Sequence, residues 1–165
     1  MIQRSDGPTD AQRSRRRPAE LQLADQNTVV LPLRVRYFET DQMGVVHHAN
    51  YPVWFEAARS EYCRVHEIDY RGMEADGLAL PVVELSVRYI SGARYEDELN
   101  IRAEVVECRR SLLRIRYSVE KEGQILATGE TKQILIERAT GRPKSFTPDI
   151  AAKFAPPVKT KGDVL

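Results

Sequence analysis

Two cysteines in 165 residues, Cys63 and Cys108, are too few for a disulfide framework, and both read as reduced thiols of a cytoplasmic protein. No apolar run approaches the roughly 20 residues needed to span a bilayer, and the N-terminus lacks an apolar signal-peptide core, so membrane insertion is not expected. A marked excess of charge of one sign is missing too. A formal net charge of +1 gives no global reason to expect nucleic acid or an acidic membrane as a partner. The 3 histidines and 2 cysteines have neither HExxH nor CxxC spacing, so no metal is expected. Aromatic residues make up only 7% of the chain, so any place where they cluster carries weight.

What the chain does have is a hydrophobic content of 42% against 30% charged, enough for one domain with a buried core. Residues 1–27 are polar and basic in turn, with Arg13, Arg15, Arg16 and Arg17 clustered among nearby acids. They cannot bury enough surface to offset ordering entropy, and a solvated, flexible N-terminal arm is expected. Residues 28–145 carry the folded domain. Residues 146–165 form a C-terminal tail, with a short helix expected from Pro148 to Phe154 before Pro156 and Pro157.

Within the domain, Leu33, Val35 and Tyr37 alternate with Arg34 and Arg36, which predicts a strand over 28–37. Pro32 has no N–H, so this strand belongs at an edge or begins its pairing late. A loop holding Asp41, Gly44, His47 and His48 follows. Asn50 is the expected N-cap of a helix that tolerates Pro52 in its first turn and runs to about His66. Tyr51, Trp54, Phe55, Ala58, Tyr62 and Val65 recur every three or four residues along it as one apolar stripe. A polar connection over 69–77 leads to four further strands, expected at 81–90, 98–108, 111–121 and 124–138 as an antiparallel meander. The order β-α-β-β-β-β around one long helix is an α+β architecture. So small a sheet leaves an edge that a second copy of the chain would cover.

Those residues resemble a known family. Tyr37, Thr40-Asp41, Gly44-Val45-Val46, His48, Asn50-Tyr51 and the run WFEAARSEY are similar to the 4-hydroxybenzoyl-CoA thioesterase branch, including the short-chain enzymes associated with the Tol-Pal system. The likeness continues through RYISGARYEDEL, VVECRRSLLRIRY and TGRP, covering about residues 30–145. It implies the hotdog fold, in which an antiparallel sheet wraps one central helix. It also implies hydrolysis of an acyl-CoA thioester, without metal or other cofactor, by a homodimer or homotetramer. Asp41 then matches the catalytic aspartate, His48 the residue whose backbone N–H meets the thioester carbonyl, and Tyr37 an aromatic near the site. Gly44, Val45, Val46 and Asn50 would line the substrate, and Arg109 and Arg110 would meet the phosphates of CoA across a subunit interface.

The chemistry agrees with that expectation. A carboxylate can attack the carbonyl carbon to give a mixed anhydride, or take a proton from water. N–H groups at a helix start can hold the developing oxyanion. Gly44 lets the loop approach the acyl group without a Cβ between them. The sequence leaves open the choice between the two routes, the natural acyl group, and whether the donor is CoA or an acyl carrier protein. Hotdog proteins also include hydratases, dehydratases and non-catalytic acyl-binding modules, and one branch places its carboxylate on the helix, which makes Glu56 the reserve acid. Cys63 and His66 lie three apart on the helix but lack an orienting third group, so a Cys–His nucleophile is not expected.

Overall fold

The computed structural model describes residues 22–154. The basic cluster of the N-terminal arm and the two tail prolines lie outside the described residues.

Strands β1 (Gln22–Asp25) and β2 (Thr28–Arg34) open the fold as a hairpin. Residues 22–25, expected within the arm, thus pair with Thr28–Val30. Helix α1 (Asn50–Val65) follows, then the short helix α2 (Tyr70–Ala75) and strands β3 (Leu78–Ala79) and β4 (Val82–Tyr89). Three long strands come next: β5 (Glu98–Arg109), β6 (Leu112–Lys121) and β7 (Gln124–Ile134). The short strand β8 (Ile136–Glu137) and helix α3 (Pro148–Phe154) complete the described chain.

The main sheet is antiparallel and six-stranded, in the order β1-β2-β5-β6-β7-β4. Only β5, β6 and β7 form the expected meander. Strand β4 crosses to the far edge and pairs with β7, from Val82 opposite Gln133 to Tyr89 opposite Ala127. The expected final strand over 124–138 divides: Leu135 N–H still donates to Ser111 O (2.8 Å) in register with the β6–β7 ladder, and Ile136–Glu137 then leave it to pair with β3 as β8. Pro32 pairs with Asn100 of β5, and among the described residues β1 reaches only as far as Val30, so its missing N–H interrupts no described pairing.

Alternation along β5 and β6 turns Leu99, Ile101, Ala103 and Val105, then Leu113, Ile115, Tyr117 and Val119, toward one buried face. Helix α1 lies against that face through Tyr51, Trp54, Phe55, Ala58 and Tyr62. Phe55 stacks on Tyr117 with ring centroids 4.5 Å apart. Gly129 on β7 makes room for it: a Cβ there would strike Phe55 and come within 2.9 Å of Ser86 O. At the far end of α1, the Tyr62 hydroxyl donates to Phe154 O (2.9 Å) and docks α3 onto the core. This is a sheet wrapped around one helix, the hotdog arrangement.

Candidate active site

The chain between β2 and α1 does not continue as strand to Tyr37. It leaves β2 at Arg34 and makes a 3-10 turn over Tyr37–Glu39. The reason lies in Glu39, whose carboxylate folds back to accept the Arg36 backbone N–H (2.7 Å) and the Arg36 guanidinium (2.7 Å). Trp54 Nε1 on α1 donates to the same carboxylate (2.8 Å). Burial alone would raise the pKa of Glu39. The Arg36 guanidinium, its backbone N–H and Trp54 outweigh that and hold the group below its ordinary range. Sequence reading passed over Glu39. Its one visible signal was an acid three residues after Arg36, a spacing that suits a short helical turn.

From Glu39 the loop is stitched to the helix start. Glu39 O accepts from His47 N–H (2.9 Å) and from Asn50 Nδ2 (2.8 Å). Asn50 is therefore a tie between the two ends of the loop. It is not the cap: α1 follows Ala49, which is itself helical, and no side chain caps it. Asn50 is already the first helical residue, and its Nδ2 faces two carbonyls, Glu39 O and His47 O. Between these ties, Thr40 pairs with Val46, and Asp41 N–H donates to Val45 O (2.9 Å). Gly44 closes the turn at φ +73°, a conformation that suits glycine, and its N–H donates to Asp41 O (2.9 Å).

The loop then rests on the segment after β4. Val46 N–H donates to Ala93 O (2.8 Å), Val45 packs against Gly92, and Arg94 reaches Gly44 O at 3.4 Å. The Tyr89 hydroxyl donates to His48 O (3.0 Å) and fixes the helix start from β4.

Two of the groups left uncommitted in this frame belong to residues that the resemblance singles out. One oxygen of Asp41 accepts from Met43 N–H (2.8 Å), and the other has no hydrogen-bond partner among the described residues. The His48 N–H likewise has none there, although the neighbouring His47, Asn50 and Tyr51 N–H groups are all used. Asp41 is half-buried, and His47 and His48 are exposed with their rings 4.1 Å apart. Tyr37 is 77% exposed and meets Tyr95 edge-on at 5.5 Å, so it lies on the rim of the loop.

Arg109 and Arg110 are not part of this cluster in one chain. They sit at the β5–β6 turn, whereas the Asp41 loop adjoins the Glu98 end of β5, which pairs with Arg34. About 35 Å of strand separates the two ends. Arg109 pairs with Glu107 (2.7 Å), and Arg110 O accepts from Phe146 N–H (2.7 Å).

The surroundings of Cys63 and His66 disfavour a thiolate nucleophile. Cys63 is buried, which pushes its thiol up to about 11. His66 is engaged through both ring nitrogens, with Tyr62 O and Gln26 O each at 2.9 Å. No group of three or more potential metal ligands assembles among the described residues, and none of their helices is long and apolar enough to cross a membrane.

The fold is that of the hotdog proteins, and its Asp41 and His48 lie on one loop that leads into the buried central helix, the first with an unpartnered carboxylate oxygen and the second with an unpartnered N–H among the described residues. The model of the thioesterase-like superfamily matches residues 35–154. The acyl-CoA thioester hydrolase YbgC of Escherichia coli O6:H1 (strain CFT073) is 32% identical over 124 residues, covering 74% of this chain and 92% of that one. The hypothetical protein TT1821 from Thermus thermophilus superposes with a TM-score of 0.71 at 38% identity, over 76% of this chain and 95% of the other. The DHNA-CoA thioesterase from Staphylococcus aureus superposes with a TM-score of 0.73 at 31% identity, over 77% and 88%. The chain belongs to the thioesterase-like superfamily.

Proposed function

We propose that the protein hydrolyses an acyl-CoA thioester to the free acid and CoA, with Asp41 as general base or nucleophile and the His48 N–H as an oxyanion donor. The observation that carries this is that the second Asp41 oxygen and the His48 N–H both lack a hydrogen-bond partner among the described residues, on one loop that leads into the central helix. Either Asp41 takes a proton from water, which attacks the carbonyl, or it attacks directly and water then cleaves the anhydride. In both routes the thiolate of CoA leaves and is protonated by solvent. Membership of a family whose relatives include an acyl-CoA thioester hydrolase supports the reading.

The donor is CoA rather than an acyl carrier protein if Arg109 and Arg110 supply phosphate contacts, because paired guanidiniums suit phosphate oxygens. Their distance from Asp41 in one chain makes this a contribution from a second subunit. A homodimer, or a tetramer built from it, agrees with β4 standing at the sheet edge with Val82, Val83, Leu85 and Tyr89 exposed. The thiols of Cys63 and Cys108 are unpaired, in keeping with a cytoplasmic location.

The test is release of free thiol from a panel of acyl-CoA substrates. Asp41→Asn is expected to lower kcat by at least about 100-fold. Glu56→Gln, the alternative acid on α1, is expected to retain turnover. Full activity in Asp41→Asn would sink the assignment. CoA binding without hydrolysis of any thioester would point to a non-catalytic binding module.

A further inference from the structure

Between α1 and β4 lies a cavity of about 170 Å³. Pro52 and Phe55 from the helix and Val82 and Leu85 from the strand give it apolar walls. Gln133 on β7 also lines it, and its side chain is fully buried. Neither Oε1 nor Nε2 of that amide has a hydrogen-bond partner among the described residues. The Tyr117 hydroxyl is the polar neighbour nearest to pairing with Gln133, but it makes its hydrogen bond of full geometry with Thr131 Oγ1 at 3.1 Å and leaves the amide with none. A buried amide left open at both ends disfavours the folded state unless something else pairs with it.

The charges around this cavity offset each other. Arg59 and Glu56 both line it, and the Arg59 guanidinium lies over the Tyr70 ring, 5.6 Å from its centroid. An anionic ligand would meet Glu56 and a cationic one Arg59. A neutral group that both donates and accepts matches the two open ends of the amide, and the simplest such group is a hydroxyl.

The position of the cavity links it to the acyl group. Pro52 lies four residues beyond His48, in the first turn of α1, and Arg59 two turns further on. From the level of His48 the helix rises about 6 Å to Pro52, about 10 Å to Phe55 and about 16 Å to Arg59, so an extended medium-chain acyl group running beside it reaches the cavity. Resting on the thioesterase reading, we infer that this cavity takes the distal end of the acyl chain and that Gln133 selects acyl groups carrying a hydroxyl there.

The test compares two matched pairs, decanoyl-CoA with 10-hydroxydecanoyl-CoA and dodecanoyl-CoA with 12-hydroxydodecanoyl-CoA, in wild type and Gln133→Leu. Wild type is expected to favour the hydroxylated member of at least one pair by about 10- to 100-fold in kcat/KM, because a site built to pair a hydroxyl discriminates against its absence. The ratio is expected to collapse toward one in Gln133→Leu. Leu is near Gln in volume and leaves no open polar atom, so the variant is expected to fold with an unchanged or higher Tm. No wild-type preference in either pair overturns the inference, as does a preference that survives in Gln133→Leu. If no thioester is hydrolysed at all, calorimetric titration with the free acids decides separately. Tighter binding of the hydroxy acid by wild type, lost in Gln133→Leu, upholds the role of Gln133, and equal binding of the two acids overturns it.

Discussion

A carboxylate that is only 1% exposed must be paired or protonated, and Glu39 is paired from two sides, by Arg36 before the 3-10 turn and by Trp54 on α1. Its backbone carbonyl meanwhile receives His47 and Asn50. One residue therefore fixes the entry to the Asp41 loop, its exit, and the angle of the central helix. Glu39→Ala leaves a buried indole N–H unpaired and opens a void, so a loss of about 2–4 kcal/mol in urea unfolding is expected, with kcat falling alongside. Because the native pKa of Glu39 is depressed, its contribution is present above the unfolded value and fades as pH falls through the native one. The buried thiols and the Tyr117 phenol behave oppositely. Burial raises Cys63 and Cys108 from 9.0 to about 11, and Tyr117 from 10.0 to about 12. The unfolded chain releases these protons first, so stability is full below about pH 9 and is lost as pH rises toward 11 and 12. Tm measured from pH 8 to pH 11 is expected to hold and then fall, and replacing both cysteines with alanine is expected to flatten the decline. At this scale the loop that carries Asp41 and His48, and the helix it feeds, were legible because the flanking motif is distinctive. Glu39 and Gln133 were not, because a buried acid and a buried amide look in sequence like any polar residue of a turn or a strand.

The elements were legible wherever periodicity sets them. The stripe from Tyr51 to Tyr62 became the buried face of α1, and the alternations over 98–108 and 111–121 became β5 and β6 to within a residue. Periodicity says which face of a strand is buried, but not which strand it pairs with, so the crossing of β4 to the far edge was invisible. That crossing matters, because the segment leaving β4 holds the Asp41 loop. Gly92 there lies so close to Val45 that a Cβ would meet Val45 Cγ1 at 2.8 Å. Gly92→Ala therefore pushes on the loop from below while leaving the core untouched. Turnover is expected to drop about 10-fold or more, since small displacements of reacting groups are costly, while Tm shifts by only a few degrees. A large loss of Tm with kcat preserved would mean that Gly92 supports the fold and not the loop.

At the scale of the whole molecule, the described chain has an open site and an open edge. The loop that carries Asp41 has His48, Met43 and Tyr37 exposed to solvent, although thioester chemistry gains from excluding water. Among the described residues strand β4 has no partner beyond β7, and it exposes Val83 at 59% and Ile90, just past its end, at 56%. An edge of this kind recruits another chain unless it is covered. One act of pairing between two copies would cover β4, and it would bring the α1 side of one subunit toward its counterpart. The same act can carry the distant Arg109–Arg110 turn of one chain toward the Asp41 loop of another. If so, assembly and catalysis are lost together. Light scattering on a sizing column is expected to report a dimer or larger species for the native chain. Val83→Asp, which sets a charge on the exposed edge, is expected to shift it toward monomer. Hydrolysis is expected to fall with it, chiefly as a rise in KM, even though every residue of the Asp41 loop is unchanged. A folded Val83→Asp monomer with native kcat and KM would show that each chain carries a complete site.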